Sequence, residues 1–160
     1  MLTPAAPSDF NFFYSLYMHP QVNPYLLYEI MEEQSFEFIF YDLLQQNALY
    51  KYVAEGQPVG MCKLIQLKHR NSHILYVGGL AIDPEHAGKN YGLKMLQDVI
   101  VYAKAQNVLR LELSVSVENI RAINLYKKIG FEAEGVLRKF TYLKSKDRFI
   151  DEILMSYIIV

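Results

Sequence analysis

At 160 residues the chain is long enough for one domain with a full core, and 52% apolar against 21% charged residues excludes a disordered or fibrous protein. No run approaches a membrane span, residues 1–7 lack the charged, apolar pattern of a signal peptide, and a net charge of −1 without basic, aromatic striping speaks against nucleic acid. We expect a single domain over residues 1–160, cytoplasmic, with neither a membrane nor a nucleic-acid partner. The charge is nonetheless segregated. Residues 1–60 hold one basic residue, Lys51, against seven acids, a net of −6, while residues 61–160 hold 15 bases and 10 acids, a net of +5. Such asymmetry concerns partners rather than fold.

The first elements read as helices. Ser8 is a candidate N-cap for a helix over residues 8–18 that carries Phe12, Phe13 and Leu16 and ends at His19-Pro20. A second short helix is expected over 24–33. A third is expected over 35–46, capped by Ser35, with Phe36, Ile39, Phe40 and Leu43 facing inward. Leu49–Ala54 and Val59–Leu67 read as a hairpin around the turn Glu55-Gly56-Gln57-Pro58. The single cysteine, Cys62, lies in that apolar second strand. It has no disulfide or metal-ligand partner, so a buried inert thiol is expected. His69 and His73 stand in a polar turn without a third ligand, and no metal site is expected.

Residues 72–82 form the next strand, where Gly78-Gly79 marks a bulge or a close backbone approach. Asp83-Pro84 breaks it, because proline removes a ladder donor. A loop with Gly88, Lys89, Asn90 and Gly92 leads at once into a helix whose buried face is read from Leu93, Leu96, Ile100 and Ala103. Strand, small-residue loop and helix N-terminus together aim backbone N–H groups and the helix dipole at a phosphate, and Lys89 adds a full charge. The pattern is neither G-x-x-x-x-G-K-[ST] nor G-x-G-x-x-G. Leu109–Val115 alternates as a strand. A helix then runs from about Glu118, with Ile120, Ile123 and Leu125 as its apolar positions, and Gly130 caps it behind Lys127 and Lys128. Strands near 131–143 and 149–158 complete a mixed sheet. The apolar tail Ile153–Val160 is expected at a sheet edge, where a homodimer could pair or cover it.

At these residues the sequence resembles the GNAT superfamily of acetyl-CoA-dependent N-acetyltransferases. The family's pyrophosphate loop, Q/R-x-x-G-x-G/A, falls on Ala87–Gly92, and its N-x-x-A-x-x-x-Y-x-x-x-G-F element fits Asn119–Phe131. The two motifs, in this order and spacing, are far more specific than either alone. Gly130–Arg138 also reads G-F-x-x-E-G-x-L-R, as in the spermidine and ribosomal-protein acetyltransferase branches. The resemblance implies an α/β fold with a mixed, mostly antiparallel central sheet of six to seven strands, helices on both faces and splayed central strands. It implies acetyl-CoA as co-substrate, bound by Leu80, Ala81 and Ile82 on the splayed strand, by Ala87, Gly88, Lys89, Asn90, Tyr91, Gly92 and Leu93 at the loop, and by Asn119 and Tyr126. Tyr126 falls at the position of the general acid that protonates the leaving thiolate.

Two departures bear on affinity. Ala87 replaces the family's glutamine or arginine and removes one side-chain contact to phosphate. Asn90 replaces its first glycine, and asparagine enters the left-handed region more readily than other non-glycine residues. Weaker cofactor binding is expected, and a catalytically weak acetyl-CoA-binding module stands as the alternative to an enzyme. The acceptor is expected to be a primary amine on a cationic molecule, a polyamine or a peptide. Glu29, Glu32 and Glu33 of the acidic half are its candidate binding residues. Glu112 and Ser114 share one strand face, and neither is assigned as the base.

Overall fold

The computed structural model describes residues 1–160. In chain order they form β1 (Leu2–Pro4), α1 (Phe10–Tyr17), α2 (Asn23–Leu26), α3 (Glu33–Gln45), β2 (Leu49–Ala54), β3 (Gln57–Gln66), β4 (Ile74–Ile82), α4 (Tyr91–Ala105), β5 (Arg110–Ser116), α5 (Ile120–Ile129), β6 (Glu132–Leu143) and β7 (Arg148–Ile158). The strands are hydrogen-bonded in the order β1-β2-β3-β4-β5-β7-β6. Contacts gather the chain into two compact units, residues 1–64 with 79–95 and residues 65–78 with 96–160.

In the first unit, α1 and α3 are joined by an aromatic core. Phe10, Phe13, Tyr14 and Tyr17 recur at helical spacing along α1, and their rings meet Phe36 and Phe40 of α3 at centroid distances of 5.0–5.9 Å. Phe13, Tyr17, Phe36 and Phe40 are fully buried, each worth roughly 1.5–3 kcal/mol of transfer free energy. β1, which the sequence did not suggest, pairs antiparallel with β2, and β2 pairs with β3.

Three expectations fail here. The first helix begins at Phe10 with Asp9, not Ser8, as its N-cap. The helix expected over 24–33 is the single turn α2, because Leu27 adopts the left-handed conformation at φ 60°. The chain beyond is held by side chains instead. The Asn23 amide donates to the carbonyls of Tyr17 and Tyr28, and the Tyr14 hydroxyl donates to that of Met31. α3 starts earlier than expected, with Glu32 rather than Ser35 as its N-cap, and the carboxylates of Glu32 and Glu33 meet the positive end of the helix dipole.

In the second unit, β5 pairs in parallel with β4 and antiparallel with β7, which also pairs with β6. The apolar tail is therefore an interior strand, and β6 is the edge. The physical reason is that β7 carries the buried Ile150 and Met155, so its backbone groups need partners on both sides. β6, exposed along most of its length, can leave one side to solvent. Leu111, Leu113 and Val115 are buried as the alternation requires, with Ile123 and Phe131 beside them in the core. Ile120, one of the apolar positions read for this helix, is 59% exposed, since the first turn of α5 is set by its cap. Gly130 at φ 112° closes that helix, with the Gly130 and Phe131 N–H groups returning to the Tyr126 carbonyl.

Candidate functional site

The loop before α4 is built by local bonds. The Asp83 carboxylate accepts from the Glu85 N–H at 3.0 Å, and the Ala87 N–H returns to the Pro84 carbonyl. Gly88 and Asn90 are then left-handed, at φ 80° and 58°. Asn90 takes the place of the family glycine without losing the turn. Alternation of left- and right-handed residues curves successive N–H groups around an anion. The first intrahelical bond runs from the Lys94 N–H to the Asn90 carbonyl, so the N–H groups of Tyr91, Gly92 and Leu93 open the helix without intrahelical partners. Ala87, Gly88, Lys89 and Asn90 are exposed, and a Cβ on Gly88 would meet nothing. An open, donor-lined cradle with one lysine fits a pyrophosphate. Its neighbour is the hairpin turn at Glu55, whose carboxylate accepts from the Tyr91 hydroxyl at 3.2 Å and lies 3.9 Å from Lys89.

β4 pairs with β5 over part of its length. Its ladder with β5 holds three pairs, Ile74–Tyr76 against Arg110–Glu112, and β4 continues to Ile82 through a left-handed Gly79 at φ 53°. Leu80 and Ile82 are half-buried and Ala81 is buried. Gly60 admits this stretch closely, since a Cβ there would fall 2.8 Å from the Ala81 carbonyl.

On α5 in the second unit, Asn119 caps the helix by accepting from the Ala122 N–H at 3.2 Å. Tyr126 is 7% exposed, and its ring packs on Phe131. Its hydroxyl has no hydrogen bond to the protein. Burial, and then the nearby Tyr76, push its pKa well above the ordinary phenol value. Such a group remains a proton donor across the physiological range. Tyr76 and Ser114 share a hydroxyl–hydroxyl bond of 2.8 Å. Glu112 is engaged by Arg110 at 2.8 Å, and the same guanidinium holds Glu134 at 3.0 Å. Glu112 is thus a structural partner.

Glu32 and Glu33 are exposed at the start of α3, and Glu29 is half-buried and engaged. What the sequence reading missed is a cluster in the first unit around Tyr17, Tyr28, Lys63 and Gly79. Lys63 donates to the Tyr28 hydroxyl at 3.0 Å. The Tyr17 hydroxyl is buried with no partner, at a cost of about 1–3 kcal/mol. The available signal was Lys63 itself, the one charge in the apolar run Val59–Leu67. Cys62 beside it is buried, and desolvation pushes its thiol up to about 12, which keeps it inert as expected.

The sequence model of the acetyltransferase (GNAT) family matches residues 10–131. The chain therefore belongs to this family, and by class it is an N-acetyltransferase with acetyl-CoA as co-substrate. Among curated proteins it is 27% identical over 136 residues to a spermidine N(1)-acetyltransferase of Vibrio cholerae, covering 81% of this chain and 76% of that protein. It is 28% identical over 114 residues to a Bacillus subtilis protein described as a putative ribosomal protein bS18-alanine N-acetyltransferase, covering 69% and 73%. The chain matches 76% of the length of that Vibrio cholerae protein and 42% of the length of an uncharacterized N-acetyltransferase of Methanocaldococcus jannaschii. A crystal structure of a Vibrio cholerae spermidine N-acetyltransferase, in complex with CoA and spermine, superposes with a TM-score of 0.83 at 24% identity, covering 99% and 95% of the two chains. At that identity the likeness concerns the fold.

Proposed function

We propose that residues 1–160 act as one domain that transfers the acetyl group of acetyl-CoA to the primary amine of a cationic acceptor, a polyamine or a peptide, by direct attack. The observation that carries this reading is the unpartnered hydroxyl of the largely buried Tyr126 on a helix capped by Asn119. When bound, acetyl-CoA supplies an activated carbonyl and a thiolate leaving group. The loop Ala87–Leu93 holds its phosphates through backbone N–H groups and Lys89, while the β4 residues Leu80, Ala81 and Ile82 offer backbone groups to its pantetheine arm. The amine nitrogen forms the new C–N bond as the C–S bond breaks. Tyr126 gives its proton to the sulfur, the nitrogen loses one to solvent, and Tyr126 regains its proton from solvent. Glu29, Glu32 and Glu33 belong to the segment of net charge −6 and draw a positively charged acceptor toward the first unit.

The departure at Ala87 supports a second reading, a module that holds acetyl-CoA with little turnover. Free-thiol release from acetyl-CoA, measured over a panel of polyamines, basic peptides and aminoglycosides, separates the two. Release above the hydrolytic background with any amine supports transfer, and none with all of them, alongside measurable acetyl-CoA binding, supports the module.

A further inference from the structure

The cluster around Gly79 contains hydrogen-bond donors and no acid. Lys63, half-buried on β3, makes one hydrogen bond, to the Tyr28 hydroxyl at 3.0 Å, and its ammonium lies 5.2 Å from the Tyr28 ring centre. It enters no ion pair, so two of its three protons are unspent. The Tyr28 hydroxyl, having accepted from Lys63, keeps its own proton. The Tyr17 ring packs edge-on against Tyr28 with centroids 5.1 Å apart, and its hydroxyl is the buried donor without an acceptor. Tyr17 and Lys63, the latter bonded to Tyr28, converge on the left-handed Gly79. A Cβ there would stand 3.1 Å from the Tyr17 hydroxyl and 3.4 Å from the Lys63 Cε. Only a glycine leaves that notch clear.

We propose that Lys63 and Tyr28, backed by Tyr17, form a subsite for a carbonyl or carboxylate oxygen carried next to the acceptor amine, so that the acceptor is an α-amino acid or a peptide N-terminus. The assignment rests on the reading of the chain as an amine acetyltransferase with its co-substrate along β4, and it sets aside the polyamine left open above. A polyamine presents methylenes and ammonium groups, which cannot accept from these donors and are repelled by Lys63. An α-amino carbonyl compound presents the missing acceptor oxygen three bonds from its nitrogen. Its amine also needs less help. With a pKa of about 7.7–8.0, roughly one peptide N-terminus in six to eleven is free base at pH 7, against about one alkylamine in 2,500. A nearby cation lowers the amine pKa further.

The test compares a short basic peptide, its N-terminal amino acid as the free acid, and spermidine, in the wild type, Lys63→Met and Tyr28→Phe. Thiol release gives kcat/KM, and calorimetric titration of each amine gives affinity without turnover. The wild type is expected to favour a carbonyl-bearing amine over spermidine by at least tenfold in kcat/KM or in affinity. Either variant should bring that ratio to within about twofold, with acetyl-CoA affinity unchanged. Tyr28→Phe keeps the ring packing and guards against a folding defect in Lys63→Met. Peptide above free amino acid identifies a carbonyl as the oxygen read, and the reverse identifies a carboxylate. A wild-type preference for spermidine, or equal losses on all three amines in both variants, overturns the subsite. Lys63-dependent binding of carbonyl-bearing amines without thiol release upholds it and overturns acetyl transfer.

Discussion

The Lys89 ammonium lies 3.9 Å from the Glu55 carboxylate, and that carboxylate also accepts a hydrogen bond from the Tyr91 hydroxyl at 3.2 Å. The cation of the loop proposed to hold phosphate is thus shared with an acid on the hairpin turn Glu55-Gly56, where both residues have positive φ, 53° and 77°. Exposed pairs of this kind contribute about 0–1 kcal/mol, so phosphate can draw Lys89 away. Glu55→Gln should tighten acetyl-CoA binding by up to about fivefold, and Lys89→Ala should weaken it, both effects growing at low salt. Thermal shift with acetyl-CoA reads this directly, because a ligand selective for the folded state raises the melting temperature by mass action. No shift up to millimolar acetyl-CoA would remove the cofactor assignment of this loop.

Tyr126→Phe should lower kcat by about a hundredfold or more while acetyl-CoA affinity stays within about twofold. The hydroxyl is needed only as the thiolate develops. Because burial holds Tyr126 well above the ordinary phenol range, kcat/KM should rise with pH as the amine loses its proton, without a falling limb from Tyr126 below about pH 10. An unchanged kcat in the variant would make Tyr126 a packing residue.

Neutralising Glu32 and Glu33 to glutamine should raise KM for a multiply charged amine more than for a monoamine. Screening over about 8 Å at physiological salt means that an effect surviving there requires contact. The same change removes favourable charge from the start of α3, at about 0.3–1 kcal/mol per residue, so melting temperature must be followed alongside. Equal KM changes for both amines would reduce these glutamates to helix-dipole partners.

Acid should destabilise the second unit through Glu134. The Ser156 hydroxyl, donating at 2.5 Å, and then the Arg110 guanidinium hold its carboxyl below the ordinary 4.5. The unfolded chain therefore takes up this proton first. The stabilisation is present above about pH 4.5 and is lost as pH falls through the lower folded value. Glu134→Gln should flatten that part of the melting-temperature profile and leave the profile near pH 7 parallel to the wild type. An identical acid slope in the variant would show that other carboxylates carry the loss.

Much of this protein could be read from local pattern. The turn at Ala87–Gly92, the cap at Asn119 and the stop at Gly130 depend on residues within a few positions of one another. For that reason loop, helix start and helix end appear where the sequence placed them. The alternation of Leu111, Leu113 and Val115 likewise reports one buried face directly. Tertiary structure decided the rest. Residues 27–32 have an adequate helical pattern, yet the carbonyls of Tyr28 and Met31 bond to Asn23 and Tyr14, partners that propensity does not contain. The apolar tail became an interior strand because β6, nearer in sequence, closed against it and left β5 on its other side. The donor cluster of Tyr17, Tyr28, Lys63 and Gly79 joins positions up to 62 residues apart. Its chemistry lies in spatial convergence and in the lack of an acid beside Lys63, and neither is a property of any segment of the chain read alone.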